Sequence, residues 1–95
     1  MLIVKIIYTD KVVEYKFLEG QSEGLKLDNN PEVLVITCAD FGKGNVWNVE
    51  THADDSPEKM LSQAIAMQRV ILSSSRPEVS FFAADDVCIE ACIVT

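Results

Sequence analysis

Basic residues are scarce in this 95-residue sequence, which contains 8 Lys and Arg residues against 15 Asp and Glu residues. The resulting formal net charge of -7 disfavours contact with phosphate backbones and with anionic lipid headgroups. The few basic residues are also scattered and never form a run. We therefore expect no direct binding to nucleic acid and no binding to a membrane.

Histidine and cysteine are rare, and catalytic motifs are missing. The chain has 1 His and 3 Cys, and an odd number of cysteines argues against a disulfide framework. Cys88 and Cys92 lie about 13 Å apart if their segment is extended, whereas a disulfide needs Cα atoms within about 7 Å. No serine or cysteine stands in a nucleophile motif, so we expect a protein that is not an enzyme and needs no cofactor.

Long apolar segments are also missing. Beyond the N-terminal segment, the longest uncharged apolar run is Val33 to Ala39, far shorter than the roughly 18 residues that span a bilayer. The start, MLIVKIIYT, has neither a positive flank nor a small-residue cleavage site, which indicates a strand and not a secretory signal. Together with the short length, these features predict one cytoplasmic domain covering residues 1–95.

Apolar residues are abundant, at 48% of the chain, and most of them fall in short runs typical of β-strands. Between the second and third runs, Glu19 to Pro31 is polar and rich in turn residues, which indicates a loop with room for a short strand at Leu25–Leu27. The predicted strands are Leu2–Tyr8, Val12–Leu18, Val33–Phe41, Val46–Thr51, Val79–Ala84 and Val87–Val94.

One segment has the pattern of a helix, from Pro57 to about Ser73. Ser56 is a good N-cap, and proline suits the first helical position because its missing N–H would be unpaired there. Seven apolar side chains then share one face at helical spacing, namely Met60, Leu61, Ala64, Ile65, Met67, Ile71 and Leu72. The sequence thus predicts an α+β fold of order ββββαββ, in which one amphipathic helix packs on a curved, mainly antiparallel sheet of about six strands.

The only histidine lies in an alternating acidic segment, Glu50, His52 and Asp54. If the fourth strand extends that far, the three side chains point to one side at intervals of about 6.6 Å and could hold a metal ion or position a water molecule. A competing interpretation assigns Asp54 to the positively polarised start of the helix, as a capping charge. Metal analysis of the wild type and of a His52→Ala variant would decide between them.

Several predicted strands are apolar on both sides, which leaves more apolar surface than one helix can cover. A six-stranded sheet is about 29 Å wide, whereas a 17-residue helix covers about 25 Å by 10 Å. Either the sheet curls around the helix or its bare face docks on another subunit. We expect a homodimer formed through a sheet face or through the C-terminal strand as an edge. The predicted interface residues are Val87, Ile89, Ile93, Ile3 and Ile7.

These features predict a small acidic, non-catalytic protein-interaction module that binds a second copy of itself or another protein. The first alternative is an inhibitor of a nucleic-acid-binding protein that imitates phosphate charges with two acidic clusters, in which case its binding should weaken with salt. The second alternative is a small metal- or ligand-binding enzyme that uses His52. The acidic clusters are Asp54, Asp55 and Glu58, and Asp85 and Asp86.

Overall fold

The computed structural model describes residues 1–29, 32–41, 44–53 and 66–94. Within these ranges the chain forms eight strands and no helix. The strands are β1 (Leu2–Ile7), β2 (Val12–Phe17), β3 (Ser22–Lys26), β4 (Glu32–Phe41), β5 (Gly44–Ala53), β6 (Ala66–Leu72), β7 (Glu78–Ala84) and β8 (Val87–Ile93).

The strands form two four-stranded antiparallel sheets. Sheet A has the order β2-β1-β8-β7, and sheet B has the order β3-β4-β5-β6. Consecutive strands within one sheet are neighbours, the first and last strands β1 and β8 also pair, and the chain changes sheet between β2 and β3 and again between β6 and β7. At the first of these crossings Gly20 has a φ of 84°, a left-handed conformation that glycine adopts without steric cost.

The two sheets pack against each other around one core to which both contribute. Alternation along the strands directs every second side chain inward, because successive residues of a strand point to opposite faces. Phe17 on sheet A contacts Trp47 on sheet B, with their ring centroids 6.4 Å apart. The core residues are Leu2, Val4, Ile6, Phe17, Leu27, Leu34, Ile36, Trp47, Val49, Leu72, Phe81, Ala83, Val87, Ile89 and Ala91.

The helix prediction is wrong over the part of the segment that the structure describes. Residues 54–65 lie outside the described ranges, but Ala66–Leu72 is strand β6 and pairs with β5. Its side chains alternate between the core side and solvent, so that Leu72 is buried while Met67 and Ile71 are exposed. Leu72 is a core position on both the helical and the strand pattern, so it does not distinguish the two. The pairing of this segment with β5 decided in favour of the strand.

No helix in the described part of the chain has the length and apolar character needed to cross a bilayer.

The prediction of one six-stranded sheet beneath a helix is also wrong, because a second sheet takes the place of the helix. The six predicted strands correspond to β1, β2, β4, β5, β7 and β8. The other two are β6 and β3, which lies within the predicted loop and overlaps the possible short strand at Leu25–Leu27. Each sheet buries the inner side of its strands on the other, although edge strand β3 contributes only the partly buried Leu25. This arrangement accounts for much of the apolar content that a single helix could not cover.

A polar contact joins the turn after β1 to the turn after β3, and so links the two sheets at one end. Lys11 forms an ion pair with Asp28 and lies 5.1 Å from the centre of the Tyr8 ring. The backbone N–H of Asp28 donates a hydrogen bond of 3.0 Å to the Tyr8 hydroxyl. The hydrogen bond to Asp28, reinforced by nearby negative charge, raises the pKa of Lys11 above its usual value.

Candidate functional site

Two of the three predicted metal or ligand residues lie side by side on the outer face of sheet B. Glu50 and His52 are both on β5, two residues apart, and therefore share a face. The Nε2 atom of His52 is 2.9 Å from an Oε atom of Glu50, and the two side chains are only 16% and 21% exposed. Asp54 lies outside the described residues.

Arg69 on β6 extends this polar group across the sheet. It is the register partner of Glu50, and its Nε atom lies 3.6 Å from the second Glu50 oxygen. The same Nε–H donates a hydrogen bond of 2.9 Å to the side-chain oxygen of Asn48. Glu50 thus lies between His52, within hydrogen-bond distance, and Arg69, which forms a longer and half-exposed ion pair with it.

The chemistry open to this group is limited by its donor set. Among the described residues, no set of three or more His, Cys, Asp and Glu side chains converges as a metal site. The Nδ1 atom of His52 is buried and has no hydrogen-bond partner in the described part of the chain. A metal or acid/base role for Glu50, His52 and Asp54 therefore stays a prediction that depends on Asp54.

The predicted interface residues separate into two sets. Val87 and Ile89 are buried in the core, and Ile93 packs against it. Their strand, β8, lies between β1 and β7, so it has no free edge for pairing with a second copy. Ile3 and Ile7 alternate with the buried residues of β1 and point to the outer face of sheet A, where they are half-buried.

The outer face of sheet A is organised in rows that run across all four strands. The strand register aligns one residue from each strand in the order β2, β1, β8, β7. We name the rows the apolar row, the charged row and the mixed row. The apolar row is Val12, Ile7, Cys88 and Phe82. The charged row is Glu14, Lys5, Glu90 and Ser80. The mixed row is Lys16, Ile3, Cys92 and Glu78.

Exposed apolar side chains are concentrated on this face. The apolar row exposes Phe82 by 67% and Val12 by 60%. Met1, Leu18 and Val94 each lie one residue beyond the end of β1, β2 or β8. They take the next outward-facing position after the mixed row. Of the seven exposed large apolar side chains in the described part of the chain, five therefore belong to sheet A. The other two, Met67 and Ile71, lie on β6 at the edge of sheet B.

A shallow groove runs through the middle of the same face, beside β8 and β7. Its outer-face lining consists of Ile3, Lys5, Glu78, Ser80, Glu90 and Cys92. Glu78 and Glu90 make its β7 and β8 side acidic, while Lys5 and Lys16 lie on the β1 and β2 half of the sheet. Glu14 on β2 offsets one of these lysines, so over the three rows the β1 and β2 half is net positive and the β7 and β8 half is negative.

Sequence reasoning found part of this surface and missed its most exposed members. It named Ile3 and Ile7, but not Val12 and Phe82, because a strand that is apolar on both sides gives no sign of which side faces the core. The alternation of β2 contains the missing signal, because Val12 shares its face with the charged Glu14 and Lys16. Its register partner Ile7 therefore lies on the outer face as well.

Comparison of this chain with protein-family models, with curated proteins and with solved structures gave no match.

Proposed function

We propose that this chain is a small non-catalytic protein-interaction module that self-associates through the outer face of sheet A. The observation that supports the proposal is the clustering of exposed apolar side chains on that face. Phe82 and Val12 stand at opposite ends of the apolar row, on the two edge strands, with the half-buried Ile7 and Cys88 between them. Contiguous apolar surface of this kind typically marks an interaction site.

The outer face of sheet B is the weaker candidate for docking. Its centre holds the hydrogen-bonded group of Asn48, Glu50, His52 and Arg69, and the Arg69 side chain, 56% exposed, would have to leave water on binding. Among the side chains that the structure describes, the exposed apolar residues of sheet B are Met67 and Ile71, both on the edge strand β6. Sheet B therefore supplies the control for a test of sheet A.

The size of the sheet A face predicts weak association. Four strands and four residue rows cover about 19 Å by 26 Å, or about 500 Å² on each copy. Two such faces bury about 1,000 Å² in total, at the low end of the range for specific protein interfaces. We expect a reversible dimer with a dissociation constant in the micromolar range, formed in the cytoplasm.

Sedimentation velocity over a range of concentrations tests the proposal with two matched variants. Phe82→Ser removes an aromatic ring from each copy and should weaken association by at least about tenfold. Met67→Ser changes a side chain of similar exposure, 61%, on the other sheet and should associate like the wild type. A wild type that stays monomeric at all concentrations, or a Phe82→Ser variant that associates normally, would contradict the proposal.

A further inference from the structure

The charges on the outer face of sheet A are arranged so that the face complements itself. Along the mixed row, Lys16 on β2 and Glu78 on β7 stand at opposite ends. Along the charged row, Lys5 on β1 and Glu90 on β8 stand side by side in the middle. Each lysine therefore has a glutamate at the mirror position across the line between β1 and β8.

From this placement we infer that two copies dock face to face about a two-fold axis that runs parallel to the strands, between β1 and β8. The inference rests on the proposed function, and it specifies the partner as a second copy in one orientation. Rotation about this axis places each row of one copy over the same row of the second copy with the strand order reversed. Strand β2 then faces β7 of the second copy, and β1 faces its β8. Lys16 then faces Glu78 of the second copy, and Lys5 faces its Glu90.

The apolar residues match in the same orientation. In the apolar row, Val12 faces Phe82 of the second copy and Ile7 faces its Cys88. In the mixed row, Ile3 faces Cys92. Glu14 faces the uncharged Ser80, so no row brings two like charges together in this arrangement. Lysines from one copy lie over the groove of the other, beside Glu78 and Glu90.

A perpendicular two-fold axis through the charged row is disfavoured by the same residues. An axis across the strands through the charged row would place Lys5 on Lys5 and Glu90 on Glu90, which repel. It would also place Lys16 on Val12 and Glu78 on Phe82, leaving charges against apolar side chains. Sheets that pack face to face cross at about 30°. This angle displaces each edge strand by about 4 Å from the strand that it faces, which is less than the length of a lysine side chain. The pairing of Lys16 with Glu78 therefore tolerates the twist of the sheets.

Charge reversal at Lys16 and Glu78 tests the orientation at two positions outside the core. The two residues lie on opposite edge strands, about 14 Å apart across three strand spacings, and both are exposed. Lys16→Glu and Glu78→Lys should each weaken self-association by about tenfold at about 0.05 M salt, because two attractive pairs per dimer become repulsive. An equimolar mixture of the two variants should form a heterodimer about as tight as the wild-type dimer.

Fluorescence anisotropy of one labelled variant, titrated with the other, measures this recovery. The control is Glu23→Lys, which reverses an exposed charge on β3 of sheet B and should leave self-association within about twofold of the wild type. If the wild type dimerises and Phe82→Ser prevents it, but the mixture shows no recovery, the orientation is wrong while the docking face stands. If the wild type is monomeric, the proposed function and the orientation both fail.

Discussion

Strand β6 offers a direct test of the fold, because helix and strand make opposite predictions for the same residues. A helix from Pro57 to about Ser73 would bury both Met67 and Leu72 on one apolar face. In the structure Leu72 is fully buried, whereas Met67 is 61% exposed. Truncating each side chain to alanine therefore measures which periodicity the segment follows.

The expected magnitudes follow from the two burials. Leu72→Ala removes about three buried carbon groups at about 0.8 kcal/mol each and leaves a cavity opposite Trp47, for a total of about 2 to 5 kcal/mol. Met67→Ala removes a side chain that is mostly in solvent and should cost about 0.5 kcal/mol or less. Against a total stability of about 5 to 14 kcal/mol for 95 residues, only the first change is large.

Thermal and urea denaturation monitored by circular dichroism would measure both variants, at a protein concentration low enough to keep the chain monomeric. At about 4 °C or more per kcal/mol, Leu72→Ala should lower the Tm by at least about 8 °C and Met67→Ala by less than about 4 °C. Equal destabilisation by the two variants would refute the strand and support the helical face that the sequence pattern predicts.

Two further pairs of variants test the turn at the first crossing and the inward direction of Ile93. Gly20→Ala should cost about 1 kcal/mol, because φ is 84° there, while Gly24→Ala, at a strand position with room for a Cβ, should be neutral or slightly stabilising in thermal melts. Ile93→Lys should lower the unfolding free energy by about 2 kcal/mol or more, because it places a charge against the core. Ile3→Lys, on the outer face, should instead leave the monomer stable and weaken self-association, and a stable Ile93→Lys monomer would contradict the inward placement.

The local features of this fold could be predicted from the sequence because they depend on neighbouring residues. Alternation and turn residues located β1, β2, β4, β5, β7 and β8 to within a few positions. The same alternation predicted that Glu50 and His52 would share a face if the fourth strand extended that far, and β5 does reach Ala53. Strand β3 was located only in part, as a possible short strand at Leu25–Leu27, because Ser22–Lys26 is polar and glycine-containing, with only Leu25 turned partly inward.

Contacts distant in the sequence decided the rest. The segment Ala66–Leu72 fits a helix or a strand taken alone, and only the hydrogen-bonding edge of β5 selects the strand. Similarly, β1 and β8 carry apolar residues on both faces, so their inward side is set by the second sheet and not by their own composition. The sequence by itself therefore determined an acidic, strand-rich chain with more apolar surface than one helix can cover. The tertiary structure alone decided that a second sheet covers most of it and that Phe82 and Val12 are left in solvent, because burial depends on which surfaces meet.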